Sequence, residues 1–146
     1  MKIWFDMDGT VADLYGVTDW LADLQAENTR PYEMAKGIGN LSLIARLLNK
    51  VQADGHEIGI ISWTSRTGSA EYNDKVAEAK REWLHKHFRS VTWNEIKVVA
   101  YGTNKLVATG GGILFDDEEG NRNTWGTGAH KPEEIIETLK KILAEG

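Results

Sequence analysis

The chain has 146 residues, 41% of them hydrophobic, a net charge of −5 and no cysteine. That length suits one domain with a substantial core, and the acidic balance provides no overall basic field to draw in nucleic acid. Disulfides, thiolate nucleophiles and zinc–thiolate centres are excluded, and no window is apolar for long enough to span a bilayer.

Ile3-Trp4-Phe5 reads as a first β-strand. Met1-Lys2 lead straight into it, leaving no room for a signal peptide, so a cytoplasmic location and no membrane partner are expected. The strand runs into Asp6-Met7-Asp8-Gly9-Thr10. Residues two apart in an extended segment share a face, so the carboxyls of Asp6 and Asp8 approach one centre while Met7 points away. Like charges that close call for a cation or a shared proton. Gly9 lets the backbone turn sharply beside a ligand. An Asp-rich turn also ends many strands with no further role, so later segments decide between the two readings.

Asp13 follows as a cap or turn acceptor. Leu14, Val17, Leu21 and Leu24 recur at helical spacing, broken near Asn28 to Pro31, and Gly37-Ile38-Gly39-Asn40 starts a second helix. Its apolar face is Leu41, Ile44, Leu47, Leu48 and Val51, and Asp54-Gly55 ends it. Ile58-Gly59-Ile60-Ile61-Ser62 is a buried strand ending in a hydroxyl. Glu71 to Phe88 forms a third helix. Ile96-Lys97-Val98-Val99-Ala100-Tyr101 is a strand followed closely by Lys105. Gly110-Gly111-Gly112 is a flexible lead into the strand Ile113-Leu114-Phe115, which ends in Asp116-Asp117. Pro132 to Leu143 is the last helix, with Pro132 near its first turn.

Continuously apolar strands separated by helices indicate an α/β protein, a three-layer doubly wound parallel sheet with helices on both faces. Ligands of such sheets bind beyond the carboxyl ends of the strands. Asp6, Asp8, Ser62, Lys105, Asp116 and Asp117 therefore converge on one edge. Phosphoryl transfer needs positioning and charge neutralisation more than covalent chemistry, and Mg²⁺ takes oxygen ligands of this type.

The ordered set Asp-x-Asp-Gly-Thr, strand-Ser, Lys and strand-Asp-Asp resembles the haloacid dehalogenase superfamily of phosphohydrolases over nearly the whole chain. The resemblance implies a Rossmann-like fold with Asp6 as nucleophile, Asp8 as general acid and base, Ser62 holding the phosphoryl group and Lys105 neutralising charge around it. It also implies a Mg²⁺ site made by Asp6, Asp116 or Asp117, and Asp8 through its backbone carbonyl. Asp6 attack on phosphorus would give an aspartyl-phosphate, and Asp8 would then need a raised pKa to carry a proton into the first step. Ser62-Trp63-Thr64-Ser65-Arg66, Ala79 to Phe88, and Tyr101-Gly102-Thr103-Asn104-Lys105 are similar to small, nucleotidase-like prokaryotic and phage members.

One hydrolase domain over 1–146 is expected, with a small helical lid around 14–40 inserted after the first strand. Thr10, Trp63, Thr64 and Arg66 are candidate substrate contacts. Tyr15, Trp20 and Tyr32 of the insert either form a platform for a base or sugar or pack the insert onto the body, and the second is favoured because aromatics at helical spacing usually face a core. Most of the six tryptophans are expected in the core. His85 and His87 lie two apart on a helix and make a poor metal pair; His56 and His130 sit near turns. The expected partner is a small phosphorylated substrate such as a nucleotide, with the phosphorylated end of a polynucleotide as the alternative. Two non-enzyme readings compete: a receiver domain, disfavoured because its phosphorylated Asp lies mid-chain and its Lys last, and a silent metal- or phosphate-binding protein, disfavoured because every catalytic candidate is present.

Overall fold

The computed structural model describes residues 1–145. Five parallel strands form the central sheet: β1 (Lys2–Phe5), β4 (Glu57–Trp63), β5 (Glu95–Val99), β6 (Ile113–Phe115) and β7 (Ala129–His130), in the order β5-β4-β1-β6-β7. The chain moves outward from β1 through β4 to β5 and then returns to β6 on the other flank. The strand order thus reverses at β1, and Asp6 follows its last residue. A ligand crevice opens where such a sheet switches direction.

Side-chain alternation along the strands divides the core into two layers. Ile3, Phe5, Ile58 and Ile60 join one cluster with α3 (Leu41–Ala53), the carboxyl half of α4 (Ala70–His87) and α7 (Ile135–Glu145). Trp4, Ile61 and Leu114 point the other way, onto Trp125 of α6 (Glu119–Trp125) and the partly buried Leu106 of α5 (Lys105–Thr109). Helices therefore cover both faces, as the apolar runs require.

The segment after β1 departs from the expected continuous helix. Ala12–Asp13 (β2) pairs antiparallel with Lys36–Gly37 (β3), so Gly37 belongs to a short hairpin and the helix starts only at Leu41, capped by the Asn40 side chain. Between the hairpin strands lie a 3₁₀ turn over Leu14–Gly16, α1 (Trp20–Gln25) and α2 (Arg30–Met34). Asp13 does act as a turn acceptor, taking a hydrogen bond from Gly16 N at 3.0 Å. Asp19 adopts φ 62°, a left-handed conformation that interrupts the helix between Val17 and Leu21. Pro31 lies in the first turn of α2, starting that helix rather than ending the previous one.

Other differences have local causes. The third strand stops at Val99, because Thr103 N closes a turn onto the carbonyl of Ala100. The three glycines before β6 all have positive φ, so they form a defined turn rather than a flexible lead. β7 is two residues long, too short to leave a periodic signature, and Pro132–Glu134 form a 3₁₀ turn before α7. Only Trp4, Trp83 and Trp125 are buried among the tryptophans; Trp20, Trp63 and Trp93 are partly exposed. His130 Nδ1 lies 3.6 Å from Glu134, so it has a partner. No described helix is long and apolar enough to cross a membrane.

The insert is fastened to α4. Leu14 and Tyr32 share a small cluster with Tyr72, Val76 and Ala79, and Trp20 and Leu24 pack against it. The Glu27 carboxylate accepts hydrogen bonds from Ser69 Oγ at 2.7 Å and Ser69 N at 3.3 Å, and Tyr72 Oη donates to the Asn28 carbonyl at 3.0 Å. Tyr72→Phe deletes that last bond while keeping the ring, and should lower unfolding free energy by about 0.5–1.5 kcal/mol in urea denaturation.

Candidate active site

The site grows out of strand ends. Asp6 N donates to Phe115 O at 2.9 Å, which locks the turn after β1 beside the end of β6. Asp6 and Asp116 thereby follow neighbouring strands in register, Phe5 facing Phe115. Gly9 bends the chain back at φ 82°, and a side chain there would overlap the Asp117 carboxylate. Ser62 sits near the end of β4, on the other flank of β1. Lys105 begins α5, whose Asn104 cap accepts from Val107 N at 3.1 Å.

The Lys105 ammonium, 4% exposed, joins Asp6 Oδ1 at 2.9 Å to Asp116 Oδ2 at 2.7 Å. Burial pulls its pKa down, but Asp6 and Asp116 outweigh that and hold it above the ordinary lysine value, so it stays charged. Asp116 is fully buried, and its oxygens also accept from Glu118 N at 2.9 Å and Asn121 Nδ2 at 3.2 Å. Oxygens of Asp6, Asp116 and Asp117 lie within 4.8 Å of one another. Burial and then the charge of Asp6 push the Asp117 carboxyl up to about 8, and the same two causes raise Asp116. Three oxygen donors under mutual repulsion are the donor set that a hard divalent cation such as Mg²⁺ neutralises.

Asp8 stands apart from that trio. Its Oδ2 accepts from Lys80 Nζ at 2.8 Å, and its side chain is 18% exposed. Burial raises its pKa, opposed by the attraction of Lys80. Lys80 also donates to Ser62 Oγ and to the Trp63 carbonyl, both at 2.7 Å. Lys80 is not among the site candidates drawn from the sequence, although a signal exists: Tyr72, Val76, Ala79, Trp83 and Leu84 make the buried face of α4, and Lys80 falls on it. A charge on an apolar face is rare unless it has partners.

A cavity of about 500 Å³ opens above these groups. Asp6, Asp8, Ser62 and Lys105 line it, as do Trp63, Thr64 and the exposed Arg66. Thr10 does not line it. That hydroxyl is buried and donates to Asp6 Oδ2 at 3.1 Å, with Asp117 Oδ1 at 3.5 Å, so Thr10 orients carboxylates rather than meeting the cavity. Tyr15, Trp20 and Tyr32 all line the cavity, but Tyr32 is buried in the cluster against α4, and Tyr15 lies edge-on to Trp20 at 5.0 Å between ring centroids. Burial and then the charge of Asp8 raise the pKa of Tyr15 and Tyr32, keeping both phenols neutral. Trp63 and Tyr101 form a second aromatic pair at 4.9 Å in the cavity wall. His85 and His87 stay clear of the site; His87 Nδ1 contacts the Trp83 carbonyl.

Two solved structures share this architecture. D,D-heptose 1,7-bisphosphate phosphatase from Burkholderia thailandensis superposes with a TM-score of 0.56 at 10% identity, covering 98% of each chain. The shared fold is a Rossmann-like α/β fold, a parallel five-stranded sheet flanked by helices. D,D-heptose 1,7-bisphosphate phosphatase from B. bronchiseptica, solved with magnesium and phosphate, has a TM-score of 0.53 at 13% identity over 99% of each chain. No protein-family model and no curated protein matches the sequence.

A raised carboxyl binds its proton in the folded state while the unfolded group has lost it, so stability of the metal-free protein falls as pH rises from the ordinary carboxylate range towards the raised value. A cation that needs the deprotonated groups reverses this trend. The rise in Tm caused by millimolar Mg²⁺ should therefore grow between pH 5.5 and 8 in scanning calorimetry, and Asp117→Asn, which cannot titrate, should flatten that growth.

Proposed function

We propose that the chain is a Mg²⁺-dependent phosphomonoester hydrolase, with the whole chain acting as one hydrolase domain and the insert as a small fixed lid. The observation that carries this reading is the Lys105 clamp, which holds Asp6 in the cavity wall, bridged to Asp116, with oxygens of Asp6, Asp116 and Asp117 within 4.8 Å of one another. Asp6, Asp116 and Asp117 would hold the cation, with Asp8 contributing its backbone carbonyl. The cation would supply charge neutralisation between carboxylate and phosphate. The magnesium and phosphate bound by one structural neighbour support the same assignment.

In this reading Asp6 Oδ attacks phosphorus as the bond to the leaving oxygen breaks, and that oxygen takes the proton carried by Asp8. Water then attacks the phosphorus of the aspartyl-phosphate and gives its proton to Asp8 as the bond to Asp6 breaks, releasing phosphate. The raised pKa of Asp8 suits the first of these roles. Ser62 would donate its hydroxyl to a phosphoryl oxygen, and Lys105 would offset charge at Asp6.

A nucleotide is the substrate class the walls support best. The cavity volume suits a nucleoside monophosphate, and two ring pairs line it: Trp63 with Tyr101, and Tyr15 with Trp20. Tyr15 and Tyr101 are 47% and 48% exposed, leaving ring surface for a base. Arg66 would meet an additional anionic or polar group, with Thr64 beside it. The phosphorylated end of a polynucleotide fits the same walls, and the heptose bisphosphate of the neighbours makes sugar phosphates the control class.

A Mg²⁺ phosphatase panel of nucleotides, sugar phosphates and a 3′-phosphorylated oligonucleotide tests this reading, with preference for a nucleotide expected. Asp6→Asn should fall to background while remaining folded by circular dichroism, and Asp8→Asn should lose about 10²–10⁴-fold in kcat with Mg²⁺ affinity retained. Tyr101→Leu should raise the nucleotide KM by about 1–3 kcal/mol equivalent, leaving p-nitrophenyl phosphate turnover nearly intact. Wild-type protein inert towards the whole panel would overturn the reading.

A further inference from the structure

The steps above make no use of Lys80, yet few charges in the protein are as completely enclosed. Its side chain is 1% exposed, and the Tyr32 ring lies 5.3 Å from the ammonium. Its three N–H donors have three acceptors: Asp8 Oδ2 at 2.8 Å, Ser62 Oγ at 2.7 Å and the Trp63 carbonyl at 2.7 Å. Those acceptors belong to the turn after β1 and to the end of β4, so one ammonium ties together the two segments that meet the cavity on this side.

Donor chemistry gives this tie a direction. An ammonium only donates, so Ser62 Oγ accepts from it, and the single hydroxyl hydrogen of Ser62 has to point elsewhere. Ser62 and Asp8 both line the cavity. The hydroxyl hydrogen, kept off the Lys80 side, is left to donate to an anionic oxygen in the cavity. On Asp8 the same ammonium occupies Oδ2. Among the described residues no hydrogen bond reaches Oδ1, which is left for proton exchange.

We propose that Lys80 is a positioning residue that fixes the donor direction of the Ser62 hydroxyl and the orientation of the Asp8 carboxylate towards a bound phosphoryl group. The proposal rests on the phosphomonoesterase reading. Lys80→Met breaks the pair and leaves the Asp8 carboxylate without its cation, which lowers stability whatever else the lysine does; only a positioning role also couples Lys80 to Ser62 in phosphate binding.

The test is a double-mutant cycle between Lys80→Met and Ser62→Ala, read by kcat and KM for p-nitrophenyl phosphate and by calorimetric titration of inorganic phosphate in the presence of Mg²⁺. With the wild-type lysine, Ser62→Ala should weaken phosphate binding about tenfold; in the Lys80→Met background the same change should cost less than about threefold, because the hydroxyl is no longer oriented. Lys80→Met alone should raise KM and the phosphate Kd by about tenfold in the folded protein, alongside a lower Tm from the broken pair. Lys80→Gln repeats the cycle should the methionine variant fail to fold. Additive losses, or unchanged KM and Kd in a folded Lys80 variant, would overturn the proposal. Wild-type protein that binds phosphate with this coupling but turns over no monoester would sink the hydrolase reading and leave the Lys80–Ser62 coupling standing; wild-type protein that neither binds nor hydrolyses would sink both.

Discussion

Four carboxyl groups, those of Asp6, Asp8, Asp116 and Asp117, stand at the end of one parallel sheet, and the rest of the site depends on how their repulsion is managed. Two buried ammoniums divide the task. Lys105 bridges Asp6 and Asp116, while Lys80 bridges Asp8 to Ser62. Asp117 is left with the least compensation, and its pKa rises to about 8. The arrangement is costly without a cation, and that cost is what makes it a receptor for one. A fully neutralised cluster would be more stable and would have less reason to bind Mg²⁺.

Much of this was legible in the chain because the chemistry sits where strands end. Asp6, Asp8, Ser62, Asp116 and Asp117 follow apolar runs, and a parallel sheet must bring such positions to one edge. Lys105 was legible through its place between two of those runs. The register of Phe5 with Phe115 then turns sequence order into contact. Lys80 was illegible by the same route, since it lies mid-helix; only its intrusion on the face of Tyr72, Val76 and Trp83 marks it. The insert was misread for a different reason. Helical spacing of Leu14, Val17, Leu21 and Leu24 is real, but the left-handed Asp19 and the pairing of β2 with β3 are tertiary outcomes that outweigh local periodicity. Thr10 is a third case: a hydroxyl in the motif whose direction the sequence does not give, here aimed at the Asp6 carboxylate.

On the proposed function, the insert connects fold to selectivity. Its Glu27 carboxylate on Ser69, its Asn28 carbonyl under the Tyr72 hydroxyl and its cluster against α4 hold it in one place over the cavity. Rings are consequently presented by two independent parts of the protein, Tyr15 and Trp20 from the insert and Trp63 and Tyr101 from the strand-end loops. The Tyr32 ring belongs to both systems, packed into the insert cluster and lying beside the Lys80 ammonium. Changes in the insert core should therefore reach the reacting groups through Tyr32 and Lys80 without touching a substrate.

On the proposed mechanism the carboxylate held by Lys105 becomes covalently phosphorylated. The most direct measurement is an acid quench during turnover with Mg²⁺, followed by borohydride reduction, which converts an acyl phosphate on aspartate to the alcohol of homoserine, and peptide mass spectrometry. The mass change should fall on Asp6 and disappear when substrate or Mg²⁺ is withheld. Modification of Asp8, Asp116 or Asp117 instead, or none while phosphate is being released and the intermediate is shown to survive the quench, would contradict that mechanism.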